Sequence, residues 1–483
     1  MKISFYLNRE YVQAEVDPHM TTLIYLREHK GLTGVKESCN EGDCGACVIA
    51  LGEQGVAGMR YYAVNSCLYP VVRLHGKHVV TLEGIQDAQD LHPLQAAMEK
   101  EHGAQCGFCT SGIILSLFCL FQRNATPTDE EIIQALDGSL CRCTGYASIL
   151  RAAHSLAEQV RTDETVADRI TPAYFADISK QIDSVEELID EQRKLAVMVR
   201  EYFVPEDLHE LFEILENIDD PAKLTLINGD TDIMVGVNLG KFTPQKIVDM
   251  HRIREFTRIL RNDDLIAIGA RATLSDVLEH KDIRSNFPAL TEAVAQMCST
   301  PIRNVATLTG NVCTASPIAD AIPPLLAYDA IVVAQSIKGT RRVALRDWFK
   351  SYRKTALGYD EVVIAIELPF SDCQASFEKT GKRKTLDIAT VNSALAIQVK
   401  KNHFETVRLF YGGVAAVPFE AEMTAEYLVG KEANEAVIYE ASRIAAKEIS
   451  PLGDVRGSLE FRRQLAANHL VKHFTKLMPS LFK

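Results

Sequence analysis

The chain has 483 residues, 47% hydrophobic and 24% charged, with a formal charge of -12 at pH 7. That length exceeds one ordinary core and points to roughly three or four domains of about 100 to 200 residues, while the acidic balance, without a basic run, argues against a nucleic-acid or membrane-surface binder. Twelve cysteines with no apolar leader after Met1 suggest a reducing, cytoplasmic setting in which thiols bind metal, and the longest apolar run, 112–121, is too short to cross a bilayer.

Residues 1–84 read as short strands around one helix. Segments 2–7 and 11–16 flank the turn Asn8-Arg9-Glu10 as a hairpin, 21–29 has helical spacing, and 47–51 is a third strand. Between them Cys39, Cys44 and Cys47 are spaced C-x4-C-x2-C, with Cys67 further on, the spacing of plant-type [2Fe-2S] ligation. Four thiolates must converge while backbone N–H groups face the sulfurs, and Gly42 and Gly45 supply the required freedom. Scattered core cysteines would not come four together with interleaved glycines, and zinc usually takes two tight knuckles. The segment therefore reads as a β-grasp ferredoxin.

From Leu91 the pattern turns helical: 93–101, 112–122, a helix opened by the capping box Thr128 and Glu131, and 147–160. Cys106-Gly-Phe-Cys109 and Cys141-Arg-Cys143 fall at helix–helix corners, which antiparallel packing would bring to one end of a bundle. Alone these four thiols suit zinc as well as iron–sulfur. Beside a ferredoxin loop they read as the second redox centre of an electron wire. Cys119 lies on an apolar helix face and reads as core packing, as do the isolated Cys298, Cys313 and Cys373.

Residues 161–200, rich in Asp, Glu, Gln and Lys, read as a solvated connector. From Tyr202 the texture is α+β. Segment 224–227 is a buried strand and Asn228 to Asp232 a turn, of a kind that can hold a diphosphate through backbone N–H groups but that, taken alone, is more often an ordinary β-turn. A second small-residue, hydroxyl-rich segment at 307–320 makes a dinucleotide the better reading. No G-x-G-x-x-G occurs, so the fold is not Rossmann by signature. A last α+β domain follows residue 371, with a strand at 404–411 and helices at 433–448 and 459–474. Arg456, Arg462 and Arg463 read as a solvated helix surface.

The strings around Cys44, Cys106 (Gln105-Cys106-Gly-Phe-Cys109) and Cys141 (Cys141-Arg-Cys143-Thr-Gly-Tyr146) resemble the iron–sulfur part of the xanthine dehydrogenase family of molybdenum hydroxylases, and 303–320 resembles its flavin domain. The resemblance implies a multidomain α+β chain: β-grasp [2Fe-2S] domain 1–84, helical-bundle [2Fe-2S] domain 85–160, linker 161–200, two-part FAD-binding domain 201–370 and flavoprotein C-terminal domain 371–483. It implies one [2Fe-2S] cluster on Cys39, Cys44, Cys47 and Cys67 near the flavin, a second on Cys106, Cys109, Cys141 and Cys143, and a pterin contact at Gln105. FAD would lie against Leu226, Ile227, Asn228, Gly229, Asp230, Thr231, Asp232, Ile233, Thr307, Leu308, Thr309, Gly310, Asn311, Asp320, Val363 and Lys379. Asp230 departs from the family, which usually has a small or neutral residue there; its carboxylate would repel a diphosphate unless turned away or paired with a cation.

Substrate chemistry in this family occurs on a far larger molybdopterin module, for which this length leaves no room. The expectation is an electron-transfer subunit, with no catalytic side chain of its own, that takes electrons from a large molybdopterin-binding partner in a dimer of heterodimers and passes them through both clusters to FAD and NAD+ during purine oxidation. Alternatives are the small subunit of a related aldehyde or heteroaromatic hydroxylase, a free-standing NADH-dependent iron–sulfur flavin reductase, and a cysteine-rich scaffold holding structural zinc.

Overall fold

Alternating apolar residues make Lys2–Leu7 and Glu10–Glu15 an antiparallel hairpin, closed by Asn8 at φ +54°, a conformation that Asn tolerates better than most residues. A computed structural model describes residues 1–55, 58–86, 90–182, 194–197, 200–220, 223–383 and 386–482. Two compact units result: Met1–Pro205 with Ala222–Arg252 and Ser299–Val305, and Glu206–Pro221 with Ile253–Cys298 and Ala306–Lys483. This division runs through residues 201–370, and it leaves the strand and turn after Leu224 with the cysteines.

In the first unit the hairpin joins a five-stranded sheet in the order Glu10–Glu15, Lys2–Leu7, His78–Val80, Val48–Gly55, Gly58–Asn65. The strands Gly58–Asn65 and His78–Val80 add to those expected, and the helix opens as Thr22–Ile24 but widens into a π-turn over Tyr25–His29. Phe5, Leu26, Ile49, Leu51 and Val64 fill the core without exposure. The four helices form as Pro93–Lys100, Thr110–Arg123, Asp129–Ala135 and Ala147–Thr162. The Thr128 hydroxyl accepts from Glu131 N and the Glu131 carboxylate from Thr128 N, completing the capping box. Residues Ser111 to Phe121 of the second helix are all buried, because it packs on the ferredoxin sheet as well as on its sister helices.

Part of the expected connector is core. A helix Phe175–Gln181 buries Phe175, Ile178 and Ile182, and the Phe175 ring lies 4.7 Å from Tyr61, 4.9 Å from His78 and 5.9 Å from Phe118. Three apolar residues in a polar stretch sufficed, since they fall on one helical face; the acidic run at 183–187 lies outside the described residues. A small sheet, Lys194–Val197, Arg200–Phe203, Lys246–Asp249, Leu224–Ile227, completes the unit, its last three strands parallel.

The second unit holds a five-stranded antiparallel sheet, Ile259–Arg261, Leu265–Gly269, Val362–Pro369, Ile331–Ser336, Gly339–Ala344, and a four-stranded one, Gln374–Thr380, Val391–Lys400, His403–Gly412, Phe419–Glu420. Helices Glu435–Glu448 and Leu459–Leu477 close the chain. A buried chain of hydrogen bonds joins the last helix to the second sheet: Ser376 Oγ to His473 Nδ1 (2.7 Å), His473 Nε2 to Ser393 Oγ (2.8 Å), Ser393 Oγ to His469 Nδ1 (2.9 Å) and His469 Nε2 to Thr380 Oγ1 (2.8 Å). Burial holds both imidazoles neutral, pushing His469 down to about 3.

Arg462, expected on a solvated surface, is buried; it donates to the carbonyls of Thr390 and Gly413 and pairs with Asp454 at 2.6 Å. Cys119 is core, but Cys298 is exposed, and Cys373 is half-buried, its sulfur accepting from Arg408 at 3.4 Å. Among the described residues no helix is long and apolar enough to cross a membrane. Truncation of the Phe175 ring should cost the fold about 3–5 kcal/mol. Denaturant unfolding of Phe175→Ala checks this, and a surface-like loss below about 0.5 kcal/mol would return residues 163–182 to the status of a connector.

Candidate functional site

The eight predicted thiols gather in two quartets, each made of two pairs. Sulfur-to-sulfur hydrogen bonds join Cys39 with Cys44 and Cys47 with Cys67, and Cys106 with Cys143, at 3.7 Å, and Cys109 with Cys141. Among the described residues no group of three or more His, Cys, Asp or Glu is arranged to hold one metal ion. Two pairs suit a two-iron cluster, which takes two thiolates on each iron, better than one zinc.

Within each pair one thiol is drawn down and its partner is raised. Gly42 and Gly45 have φ +80° and +72°. The Cys44 thiol first, and then the N–H groups of Glu41, Cys44 and Asp43 that point at the sulfur, hold Cys39 down to about 5 against its burial. Asn65 Nδ2 donates to Gly42 O at 2.9 Å and fixes the loop from behind. In the second quartet the N–H of Phe108 and the Cys143 thiol lower Cys106, and burial of Cys141 is outweighed by the Thr144 hydroxyl and nearby N–H groups. Cys106 and Cys143 are exposed, as is Gln105, which lies in the turn before Cys106.

The quartets are joined by backbone. Leu140 N donates to the carbonyl of Cys44 at 3.0 Å, so one hydrogen bond and one peptide unit separate a predicted ligand of the first quartet from Cys141 of the second. Glycines permit this approach: a Cβ on Gly45 would collide with Gly138 O, and one on Gly112 with Gly45 O.

The predicted diphosphate loop has a neighbour that sequence did not reveal. Asp230, at φ +62°, is buried, and Arg73 Nη2 lies 3.0 Å from its Oδ2. Arg73 also makes a fork to Asp249 at 2.8 and 2.6 Å, which accepts from Tyr202 Oη at 2.7 Å and His251 N at 3.1 Å. Burial and then the neighbouring Asp249, against the pull of Arg73, push Asp230 up to about 8. Asp249 is held well below the ordinary carboxylate range, its burial cost outweighed by Arg73 and His251. Asp230 is thus paired with a cation, and the Arg73 guanidinium offsets the repulsion expected of its carboxylate. An arginine inside the apolar run Tyr69 to Leu74 was the available signal.

In the second unit Thr307 caps the helix Leu308–Thr314 by accepting from Gly310 N at 3.0 Å. Thr309 Oγ1 and Asn311 Oδ1 are buried without a hydrogen-bond partner among the described residues, so polar capacity is available for a hydroxyl- or phosphate-bearing ligand. Lys379 Nζ binds Asp320 Oδ2 at 2.6 Å and Gln296 O at 2.9 Å, and Asn392 Nδ2 holds the other Asp320 oxygen at 2.6 Å. Sequence reading missed Gln296 and Asn392. Val363 is buried in the five-stranded sheet opposite Ala334. These donors and acceptors fit a flavin dinucleotide in chemistry.

Because Asp230 takes up its proton in the folded state from the ordinary 3.8 to about 8, its contribution is complete below about pH 4 and is lost as pH rises toward 8. Asp249, shifted the other way, contributes fully above about pH 4 and loses that contribution as the pH falls below it. Asp230→Asn should therefore flatten the decline of the thermal midpoint between about pH 4 and 8. Identical slopes for the two proteins would show Asp230 to be ionised across that window.

Comparison with known proteins agrees with this geometry. Residues 5–71 match the 2Fe-2S iron-sulfur cluster binding domain, 81–154 the [2Fe-2S] binding domain, 196–371 the FAD binding domain in molybdopterin dehydrogenase and 376–477 the CO dehydrogenase flavoprotein C-terminal domain. The chain is 30% identical to xanthine dehydrogenase/oxidase of Rattus norvegicus over 99% of its own length and 39% of that protein's. It is 29% identical to xanthine dehydrogenase of Emericella nidulans, with the same shares covered, and 27% identical to aldehyde oxidase 2 of Macaca fascicularis over 100% and 39%. It thus spans about two fifths of the length of these relatives. In fold it is similar to a chain of carbon monoxide dehydrogenase from Hydrogenophaga pseudoflava (TM-score 0.55, 22% identity, 58% of this chain and 98% of that one) and to one of quinoline 2-oxidoreductase from Pseudomonas putida (0.55, 23%, 60% and 100%). With two paired thiol quartets, a flavin-type domain and these matches in one order along one chain, the protein belongs to the molybdenum hydroxylase family of oxidoreductases.

Proposed function

We propose that this chain is the electron-transfer part of a xanthine dehydrogenase-like molybdenum hydroxylase, carrying two [2Fe-2S] clusters and FAD between a large molybdopterin-binding subunit and NAD+. The observation that carries the reading is the Leu140 N–H to Cys44 carbonyl bond, which gives two quartets a short covalent and hydrogen-bonded connection that separate structural zinc sites would not need. Purine is the substrate class favoured by the names of the relatives in rat and Emericella. The aldehyde oxidase likeness supports aldehyde oxidation as the second reading. Cytoplasmic location and a dimer of heterodimers complete the proposal.

Bound groups would supply one-electron carriers and a flavin able to collect single electrons and release a pair. The chain's own part is to bind and to orient. Cys39, Cys44, Cys47 and Cys67, and Cys106, Cys109, Cys141 and Cys143, are the proposed ligands. Residues Leu226 to Ile233 in the first unit, and Thr307 to Asn311, Asp320, Val363 and Lys379 in the second, are the proposed flavin contacts. Arg73 neutralises charge behind the diphosphate loop, and Asn392 and Lys379 fix the Asp320 carboxylate. The proposed domain bounds are 1–84, 85–160, 201–370 and 371–483.

The purified chain should hold about four irons and one FAD, with flavin and ferredoxin-like visible absorption. Cys44→Ser should reduce iron to about two and remove one of two electron paramagnetic signals, while Lys379→Met should lose flavin and keep iron. A colourless, zinc-containing protein sinks the reading. With the native partner, xanthine-driven reduction of NAD+ separates purine oxidation from aldehyde oxidation.

A further inference from the structure

The segment that would hold the flavin diphosphate is tied at both ends to one cluster-bearing loop. At its start Asp230 meets Arg73 at 3.0 Å. At its end Asn238, last residue of the helix Ile233–Asn238, spends both amide hydrogens on one loop system, donating to Asn40 O at 2.9 Å and to Cys67 O at 2.8 Å. Asn40 follows Cys39 and is held at φ +56°. Cys67 is itself a proposed ligand, and Arg73 stands six residues beyond it in the same connection. The stretch from 67 to 73 and the stretch from 230 to 238 are therefore cross-tied head to tail, with one short helix as a strut of about 9 Å between the ties.

Such a closed frame does not deform independently at its two ends. Met234 N donates to Asp230 O at 2.8 Å, so the loop and the strut are continuous. A ligand that fixes the turn at Asp230 fixes Asn238, and with it the carbonyls beside Cys39 and of Cys67. An amide that holds these carbonyls sets how closely the neighbouring N–H groups face the sulfurs, and hydrogen bonds to sulfur are a main control on cluster potential.

We propose that the cross-tied segment Asp230 to Asn238 couples occupancy of the diphosphate loop to the redox potential of the ferredoxin-type cluster, with Asn238 as the positioning residue. This rests on the functional reading above. Coupling is reciprocal: if flavin shifts the potential, cluster reduction shifts flavin affinity by the same free energy.

The test uses the full chain with its native partner and its clusters, and reads affinity for ADP, a redox-inert diphosphate, with the clusters oxidised and with them reduced by dithionite, alongside the midpoint potential from an electron paramagnetic titration with and without ADP. In the wild type the two affinities should differ about tenfold, equivalent to 59 mV for one electron. In Asn238→Leu, of similar size but without donors, the factor should fall below about twofold with iron content unchanged. An equal factor in wild type and variant, or none in wild type, overturns the inference. Should Asn238→Leu fail to load iron, Asn238→Ser is measured in the same way. Failure of both to load would show that Asn238 builds the loop and does not couple it, which also overturns the inference. Absence of iron or flavin from the wild type refutes the functional reading instead, so the two failures are distinct.

Discussion

Close backbone approach at Gly45 is the constraint on which the first unit depends. Three segments, the cysteine loop, the start of the helix Thr110–Arg123 and the turn before Cys141, meet where no side chain fits: Gly45 against Gly138, and Gly112 against Gly45. Only then can Leu140 N reach the Cys44 carbonyl. The buried helix face behind this contact, Ser111 to Phe121, has a double task, closing the helical bundle and backing the ferredoxin sheet. That explains why the helix is buried all round, Ser116 included, instead of amphipathic.

Charge burial organises the other side of the same unit. One arginine serves two carboxylates, holding Asp249 well below the ordinary range while burial and the neighbouring Asp249 raise Asp230. An arginine with a single carboxylate would be the simpler pair, but a second acid in the loop ties the loop to the ferredoxin fold at a point where backbone contacts alone would leave it loose. Buried ion pairs of this kind contribute little net stability relative to apolar packing and are better understood as fixing one arrangement.

Motifs and local patterns were legible in the sequence. The thiol spacings, the helices of the second segment and the Thr128–Glu131 capping box could be read because spacing and periodicity are local properties; the structure forms the helices and the cap and brings the thiols together in pairs. What escaped depends on partners remote in the chain. Arg73 and Asp249 are 176 residues apart, Asn238 and Cys67 are 171 apart, and neither side chain advertises its partner. Composition misled at residues 163–182, where charged residues outnumber the buried hydrophobic ones, Ile170, Phe175, Ile178 and Ile182, and at Arg462, whose helix position looks exposed until the carbonyls of Thr390 and Gly413 are placed over it. Cys298 was misjudged for the opposite reason: an isolated cysteine is usually buried, and this one is not.

The alternating imidazoles and hydroxyls of the second unit give it an acid sensitivity opposite in sense to that of the first. His469 and His473 stay unprotonated when folded, yet an unfolded chain binds protons on both below the ordinary value of 6.5, so acidification from there toward about 3 pulls the C-terminal helix away from its sheet. Alkalinisation, by contrast, strains the arginine-centred end of the molecule. The two windows overlap between about pH 4 and 6.5, so across that range a rise in pH favours the imidazole chain of one unit and works against the buried Asp230 of the other.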